Sequence, residues 1–375
     1  MRRNNILKTN VLILLLIFSF NTTMIVAKSS HKFNKGQKWR IGYYEGGPYS
    51  DYTDTMRTLL EGLKSLGWLN GSIPIRTGEM QKPYWDWLSS NHFKYLSFKP
   101  EDAYSAAWDD KKRSENQKQI MEKLQNKNLD LVIAMGTWAG LDLANHHHAI
   151  PTMVLSTSDP IKAGIIKNKE KSGYNHVTAR VDPDRHLRMI RMFHRIVQFK
   201  TLGIAFENTL DGRVYSAIDH VNKIADERGF KVFTCEVIDT NSDVTRSNQS
   251  CMDCFKKLIK HSDAIFVTEL TCADRLEAEI AKLLRVSKMP SFSMVGAKHV
   301  KKGLMMSISD GAGYAAIGNY NALKFSKILN GASPESLNML FEDPLDIAVN
   351  METVRQIGFK MPKSILKIAA EIYEK

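Results

Sequence analysis

The sequence lacks every compact motif that would identify an enzyme from its residues alone. It contains no nucleophile elbow, no phosphate-binding loop, no cluster of metal ligands at a recognisable spacing and no dinucleotide fingerprint in its structural context. Serine, histidine and aspartate are common, but they follow no catalytic pattern. We therefore expect a protein that is not an enzyme and that holds neither a cofactor nor a metal ion.

The chain also lacks the charge distribution of a nucleic-acid-binding protein. Its formal net charge is +12. Lysine and arginine are nevertheless scattered among aspartate and glutamate, and no basic stripe alternates with aromatic residues. A solvated cationic surface explains this charge, so we expect no nucleic-acid partner.

Cysteine is scarce, and the four residues present lie in one stretch: Cys235, Cys251, Cys254 and Cys272. Cys251 and Cys254 have the spacing of a redox or metal site, but no second pair with this spacing accompanies them. Structural disulfides or free buried thiols are therefore favoured over zinc, and the pairing stays open. Disulfides would be compatible with an exported protein.

The apolar run at residues 11–20 is short for a membrane-spanning helix. Arg2, Arg3 and Lys8 precede it, and a plausible cleavage site lies at residues 25–27, which is the pattern of a secretory signal peptide. An uncleaved anchor is the alternative. No cysteine follows the run to carry a lipid. We predict a signal peptide at 1–27 and a mature protein that is freely soluble in the periplasm or secreted.

What the sequence does contain is a regular alternation of strands and amphipathic helices. A polar stretch at 28–38 predicts a disordered leader, and a strand at 39–44 is followed by two glycines and an amphipathic helix. Such units form two successive series along the chain. This pattern predicts an α/β protein with two doubly wound, Rossmann-like lobes, each built on a mostly parallel sheet.

One aromatic segment interrupts the alternation. Residues 74–92 form an insertion that is longer than most connections in α/β proteins. Such an insertion either caps the mouth of a cleft or packs against one lobe, and the sequence leaves both alternatives open.

Two buried strands, at 131–135 and 152–155, each end in small polar residues. Ligands of open α/β sheets bind at the carboxyl ends of the strands. The candidate ligand contacts at these ends are Gly136, Thr137, Trp138, Ser156, Thr157, Ser158 and Asp159. The helix that begins near Thr137 favours an anion such as a carboxylate, although Thr137 can instead cap that helix.

Three aromatic residues are further candidates. Tyr44, Trp138 and Tyr314 follow strand ends or begin helices. At these places flat rings can enclose an apolar or aromatic ligand, or they can belong to the core.

Several short stretches carry a family resemblance through their order and spacing. They are IGYY at 41–44, GTWAG at 136–140, STSDP at 156–160, DAIFV at 263–267, YAAIG at 314–318 and NMETVRQIGFKMP at 350–362. In these stretches the chain resembles the substrate-binding proteins of ABC importers that have the type I periplasmic-binding-protein fold. The resemblance is to the branch whose members include binders of aromatic amino acids.

This resemblance implies that the chain crosses a three-strand hinge between its lobes. Lobe 1 would comprise residues 39–177 and 303–331, and lobe 2 residues 178–302 and 332–375. The implied function is capture of a small molecule, an amino acid or a related carboxylate, in the cleft and delivery to an ABC permease. A membrane sensor ectodomain is the alternative partner, and we expect a monomer.

The sequence departs from the family pattern where acidic residues are concerned. The family often has aspartate after the DAIFV strand and before the tyrosine of the late turn, but this chain has Thr268 and Gly313 there. Glu269 and Asp310 are the nearby acids that can meet an amino group instead. Glu207 is a further candidate ligand contact.

Overall fold

The computed structural model describes residues 31–74, 82–308, 311–342 and 346–374 of the 375-residue chain, except for the side chains of 311–313. The predicted signal peptide lies outside these residues. Among the described helices, none combines the length and the apolar composition needed to cross a membrane.

The first part of the chain builds a five-stranded parallel sheet. Its elements are β1 (Trp39–Glu45), α1 (Ser50–Ser65), α2 (Lys82–Ser90), β2 (Leu96–Ser105), α3 (Asp110–Gln125), β3 (Leu131–Met135), α4 (Gly136–Leu143), β4 (Thr152–Leu155) and β5 (Val177–Ala179). The strand order is β2-β1-β3-β4-β5. Every residue of β3 and β4 is buried, because apolar clusters cover both faces of the sheet.

The second part builds a seven-stranded sheet. Its first elements are α5 (Arg185–Val197), β6 (Thr201–Phe206), α6 (Leu210–Tyr215), α7 (Ile218–Arg228), β7 (Lys231–Glu236), α8 (Val244–Leu258), β8 (Ala264–Val267), α9 (Thr271–Arg275) and α10 (Glu277–Val286). The remaining elements are β9 (Ser291–Ser293), α11 (Ala297–Lys301), β10 (Met306–Ile308), α12 (Gly311–Leu329), a 3₁₀ turn (Pro334–Ser336), β11 (Ile347–Asn350), α13 (Met351–Ile357), α14 (Lys363–Ile368) and β12 (Ala369–Tyr373). The strand order is β12-β11-β10-β9-β8-β6-β7, and only the pairing of β10 with β11 is antiparallel.

The chain passes between the two sheets three times. It leaves the first sheet after β5, returns after β10 to place α12 against α1, and leaves again before β11. Gly318 permits the close packing of α12 on α1, since a Cβ there would lie 2.5 Å from the carbonyl oxygen of Thr58. The sequence analysis places residues 303–331 in lobe 1, whereas β10 pairs with β9 and β11 in the second sheet. The short connection through α11 explains this difference, because it leads β10 directly to the edge of β9.

Two other segments bear on the sequence expectations: the leader differs from its prediction, and the insertion follows one of the two alternatives left open. The first is the leader predicted to be disordered at 28–38, of which residues 31–38 are described. In it His31 stacks on Tyr95 with ring centroids 5.1 Å apart and packs edge-on against Trp68, so aromatic packing holds the described part of the leader on the first lobe. In the insertion, Trp85 of α2 is buried against Phe98 of β2. The described part of the insertion therefore packs against the first lobe.

The four cysteines form two disulfides within the second lobe. Cys235 pairs with Cys254, and Cys251 pairs with Cys272. They join β7 to α8 and α8 to α9, across sequence separations of 19 and 21 residues. In the chain-entropy model, closing a loop of this size stabilises the folded state by about 3 kcal/mol.

Candidate functional site

A cavity lies between the carboxyl ends of the two sheets. The cavity is partly open to solvent. Its described lining residues come from both lobes: Tyr49, Asp51, Tyr52, Thr55, Trp108, Thr137, Trp138, Leu155, Ser156, Thr157, Ser158, Arg180, Arg185, Tyr215, Asp239, Thr240, Glu269, Thr271, Val295, Tyr314, Ile317 and Asn321.

One wall carries hydrogen-bond donors suited to an anion. Thr137 occupies the first turn of α4. The N-cap residue of this helix is Met135, and no side chain caps the helix there. The hydroxyl of Thr137 has no hydrogen-bond partner among the described residues, so capping does not occupy it. The register of Val154 with Ala179 brings Arg180 beside the end of β4. A hydroxyl and a guanidinium that can bind an anion thus follow the ends of two strands, on either side of β4, and both line the cavity.

The loop after β4 is held in an uncommon backbone conformation. Ser156 has φ of +52°, in the left-handed region that residues with a side chain seldom adopt. Its hydroxyl donates to the carboxylate of Asp51, and the hydroxyl of Tyr314 donates to the same carboxylate. Asp51 in the first turn of α1 therefore fixes two of the sequence-predicted residues. The next hydroxyl, Oγ1 of Thr157, is buried and finds no hydrogen-bond partner in the described part of the chain.

Glu269 connects the lobes at the opposite wall. Its carboxylate accepts from the hydroxyl of Ser158 in the first lobe and from Nη1 of Arg185 at 3.0 Å. Burial raises the pKa of Glu269, and Arg185 opposes this effect. Through these two contacts Glu269 joins the lobes at the cavity wall.

A second acid of the same wall was not predicted from the sequence. Asp239 accepts from the backbone N–H groups of Thr271 (2.9 Å) and Cys272 (2.8 Å) and from Oγ1 of Thr271 (2.9 Å). Burial raises the pKa of Asp239 to about 6. Glu207 lies behind it and accepts from the backbone N–H groups of Asp239 and Thr240.

Two tryptophans provide the apolar part of the cavity. The rings of Trp108 and Trp138 meet edge to face with centroids 5.4 Å apart. Ala107 and Trp108 both have positive φ, +51° and +59°, a costly combination for two successive residues with side chains. Trp108 is held there because its Nε1 donates to the carbonyl of Pro48 at 3.0 Å and its ring lies on Gly47, where a Cβ would approach to 2.7 Å. Strain retained in this way is typical of ligand sites.

Seven of the sequence-predicted contacts line this cavity: Thr137, Trp138, Ser156, Thr157, Ser158, Glu269 and Tyr314. Four described ones do not: Tyr44, Gly136, Asp159 and Glu207. Asp310 lies outside the described residues.

Each of the four excluded residues has another position. The hydroxyl of Tyr44 donates to Asp142 at 2.6 Å, and Asp142 pairs with Arg113, which stacks on Trp138, so Tyr44 supports the wall from within the core. Gly136 has positive φ and leaves no room for a Cβ beside the hydroxyl of Tyr52. Asp159 accepts from the backbone N–H of Lys162 in a turn. Glu207 supports the Asp239 wall.

Two of the lining residues that the sequence analysis missed share one signal. Arg180 and Asp239 come directly or shortly after strands, as Thr137 and Ser156 do, so the strand-end rule applied to every strand would have included them. Trp108 follows the end of β2 by three residues, as Asp239 follows β7, but its position also depends on the strained backbone of that loop.

Among the described residues, one group of side chains has the composition of a metal site. Asp274, Glu277 and His299 bring their ligand atoms together away from the cavity lining. Lys298 Nζ lies 2.7 Å from Oδ1 of Asp274, and Lys302 Nζ lies 3.3 Å from Glu277. Two lysines therefore already neutralise the two carboxylates.

Comparison with known proteins decides the family. Residues 101–373 match the family model described as ABC transporter substrate binding protein, which covers more than half of the chain. The chain belongs to this family. Substrate-binding proteins of this kind are periplasmic or extracellular, bind small molecules and partner with an ABC permease.

This substrate-binding protein is similar to several characterised chains. It is 21% identical over 244 residues to the tyrosine-binding protein of Clostridioides difficile, an alignment that covers 64% of this chain and about two thirds (66%) of that relative. It is similar to an ABC domain from Streptococcus pneumonia in complex with L-Trp, with a TM-score of 0.70 and 18% identity. That match covers 90% of this chain and 100% of the other. It is also similar to a conserved domain protein from Vibrio cholerae, with a TM-score of 0.69 and 19% identity; the match covers 90% of this chain and 100% of that chain.

These similarities confirm the predicted fold class, a type I periplasmic binding protein with two α/β lobes. The predicted family is confirmed as well. Members of this family bind substrates and do not convert them, which confirms the expectation of a protein that is not an enzyme.

Proposed function

We propose that this substrate-binding protein captures an amino acid with an aromatic side chain in the cleft and delivers it to an ABC importer. The observation that carries the proposal is that the cavity is lined by three kinds of chemical group. Thr137 and Arg180 supply donors for an anion, Asp239 and Glu269 supply acids, and Trp108 and Trp138 supply aromatic rings. A zwitterion with an aromatic ring has matching groups for all three.

The charges of the cavity support a zwitterion over a simple anion. The described lining residues include three carboxylates, of Asp51, Asp239 and Glu269, and two guanidiniums, of Arg180 and Arg185. A ligand with a carboxylate alone would meet excess negative charge, whereas an ammonium group offsets it. The similarity to a tyrosine-binding protein and to an L-Trp complex supports the aromatic part of the proposal.

Capture in the cleft fits the way that the lobes are connected. Ser158 and Glu269 join across the cavity, and Ser50 of α1 accepts from Lys298 of α11. We propose that hinge motion opens these contacts to admit the ligand and closes them around it.

The predicted signal peptide belongs to the same proposal, and mass spectrometry of the mature protein should find a start near Lys28.

A thermal-shift panel tests the proposed ligand class. L-Tryptophan, L-tyrosine and L-phenylalanine are compared with L-leucine, L-glutamate, L-lysine and D-ribose. Ligand at 100 times its dissociation constant should stabilise the folded protein by about 2.7 kcal/mol. A shift with the aromatic amino acids that exceeds the shift with the others supports the proposal. A response only to the sugar, or only to aliphatic or charged amino acids, would contradict it.

A further inference from the structure

Helix α12 holds two of the segments that connect the lobes. After β5, the chain at Val181 pairs with the segment at Leu340, through bonds from Val181 N to Met339 O (2.8 Å) and from Phe341 N to Val181 O (3.0 Å). Tyr320 of α12 donates to the carbonyl of Asn338 at 2.5 Å. One end of the hinge is thereby tied to this helix.

Lys324, one turn further along α12, ties the other segment. Its Nζ donates to the carbonyl of Ala179 at 2.8 Å and to the hydroxyl of Tyr320 at 3.3 Å. Only 5% of the residue is exposed. Ala179 is the last residue of β5 and directly precedes Arg180, which lines the cavity. The amine of Lys324 therefore holds the residue that directly precedes Arg180.

The surroundings of this amine favour its uncharged form. Two acceptors, Ala179 O and Tyr320 OH, match the two protons of a neutral amine. Among the described residues, the titratable groups that face it are Tyr320, from its own helix, and Arg180, from the segment after β5. Burial, and to a lesser extent the positive charge of Arg180, lowers the pKa of Lys324 to about 7. Close to neutral pH, small changes of local charge will therefore move its proton.

We propose that Lys324 is a positioning residue of the ligand site: it holds the segment that carries Arg180 against α12 and takes up a proton when an anionic ligand group binds at Arg180. This inference rests on the proposed function, since it takes the carboxylate of the ligand to lie beside Arg180. A carboxylate there offsets the repulsion between the two cationic groups. Ligand binding and protonation of Lys324 then favour each other.

The ligand-free protein provides the first test. An unfolded lysine has a pKa of about 10.4, so between about pH 7 and pH 10 the unfolded state binds more protons and the wild type should gain stability as the pH rises. Urea unfolding is measured at several pH values in this window for the wild type, Lys324→Met, Lys324→Gln and Lys327→Met. Lys327 is an exposed lysine on the same helix, so its variant is the matched control. The pH-dependent gain should be smaller in both Lys324 variants than in the wild type and in the control.

The second test is calorimetric titration with L-tryptophan at pH 7.5 in phosphate and in Tris, two buffers that differ in ionisation enthalpy. The wild type and Lys327→Met should show a buffer-dependent enthalpy that corresponds to proton uptake, and Lys324→Gln should not. From pH 6.5 to pH 8.5 the wild-type affinity should weaken, by at most about tenfold for each unit by which the ligand raises the pKa of the lysine. The affinity of Lys324→Gln, which keeps a donor for Ala179 O, should stay flat.

The two tests separate failure of this inference from failure of the proposed function. Equal proton uptake in the wild type and Lys324→Gln overturns the inference, and so do equal pH slopes of stability in the ligand-free proteins. If the wild type binds no aromatic amino acid, the proposed function fails. In that case the dependence of the unfolding free energy on pH, measured in the ligand-free proteins, tests the inference by itself. A smaller slope in Lys324→Gln than in the wild type would support the role of the amine at the hinge.

Discussion

Replacing Thr137 with valine should weaken ligand binding without weakening the fold. Valine keeps the shape of the side chain and removes the hydroxyl, which has no hydrogen-bond partner among the described residues and lines the cavity. The ligand-free protein therefore loses no contact, and its free energy of unfolding should change by less than about 0.5 kcal/mol. If the hydroxyl donates to the carboxylate of the ligand, its removal should cost about 1.5–3 kcal/mol of binding free energy, which is roughly tenfold to a hundredfold in affinity.

Thr178→Val is the matched control for this experiment. Thr178 lies in β5, its hydroxyl is buried without a partner among the described residues, and it is not among the described residues of the cavity wall. The control should leave affinity unchanged. Its stability should stay the same or rise by about 1 kcal/mol, because a buried unpaired hydroxyl is removed. Calorimetric titration with L-tryptophan and urea unfolding of both variants measure these effects. Wild-type affinity in Thr137→Val, or equal losses in the two variants, would refute the reasoning.

Three further predictions concern the aromatic wall, acid stability and the disulfides. Trp108→Ala should weaken binding of L-tryptophan severalfold more than binding of L-leucine, since aromatic contacts contribute about 0.5–1.5 kcal/mol beyond burial; equal losses in competition titrations would remove Trp108 from the ligand wall. Burial, with a smaller effect of His148, lowers the pKa of His176 to about 4. An unfolded histidine titrates near 6.5, so the unfolded state binds more protons from about pH 6.5 to pH 4 and stability should fall as the pH is lowered through this window. The melting temperature of His176→Gln should fall less over the same range, and parallel profiles would contradict this. Replacing Cys251 and Cys272 together with alanine should lower the free energy of unfolding by about 3 kcal/mol, and unchanged urea midpoints would count against this disulfide.

Much of the fold was predictable because its pattern is local. Buried strands such as β3 and β4 appear as continuous apolar runs, and their polar ends predict a ligand-binding edge. Seven of the predicted contacts do line the cavity. The edge of a parallel sheet brings such residues together whatever the connecting loops do.

The remainder depends on long-range packing that the sequence pattern does not contain. Tyr44 lies near the end of β1, but its hydroxyl donates to Asp142, which keeps it in the core. Trp108 reaches the cavity through two residues with positive φ and the space above Gly47. β10 joins the second sheet because β9 lies beside it. Each outcome depends on partners many residues away.

The central claim is that one cavity recognises the carboxylate, the ammonium group and the ring of an aromatic amino acid at once. Titration calorimetry of the wild type with L-tryptophan, tryptamine and indole-3-propionate tests it most directly, because the second ligand lacks the carboxylate and the third lacks the ammonium group. We predict that each analogue binds at least about tenfold more weakly than L-tryptophan, as expected for loss of a charge-assisted hydrogen bond. Binding of either analogue as tightly as L-tryptophan would contradict the account.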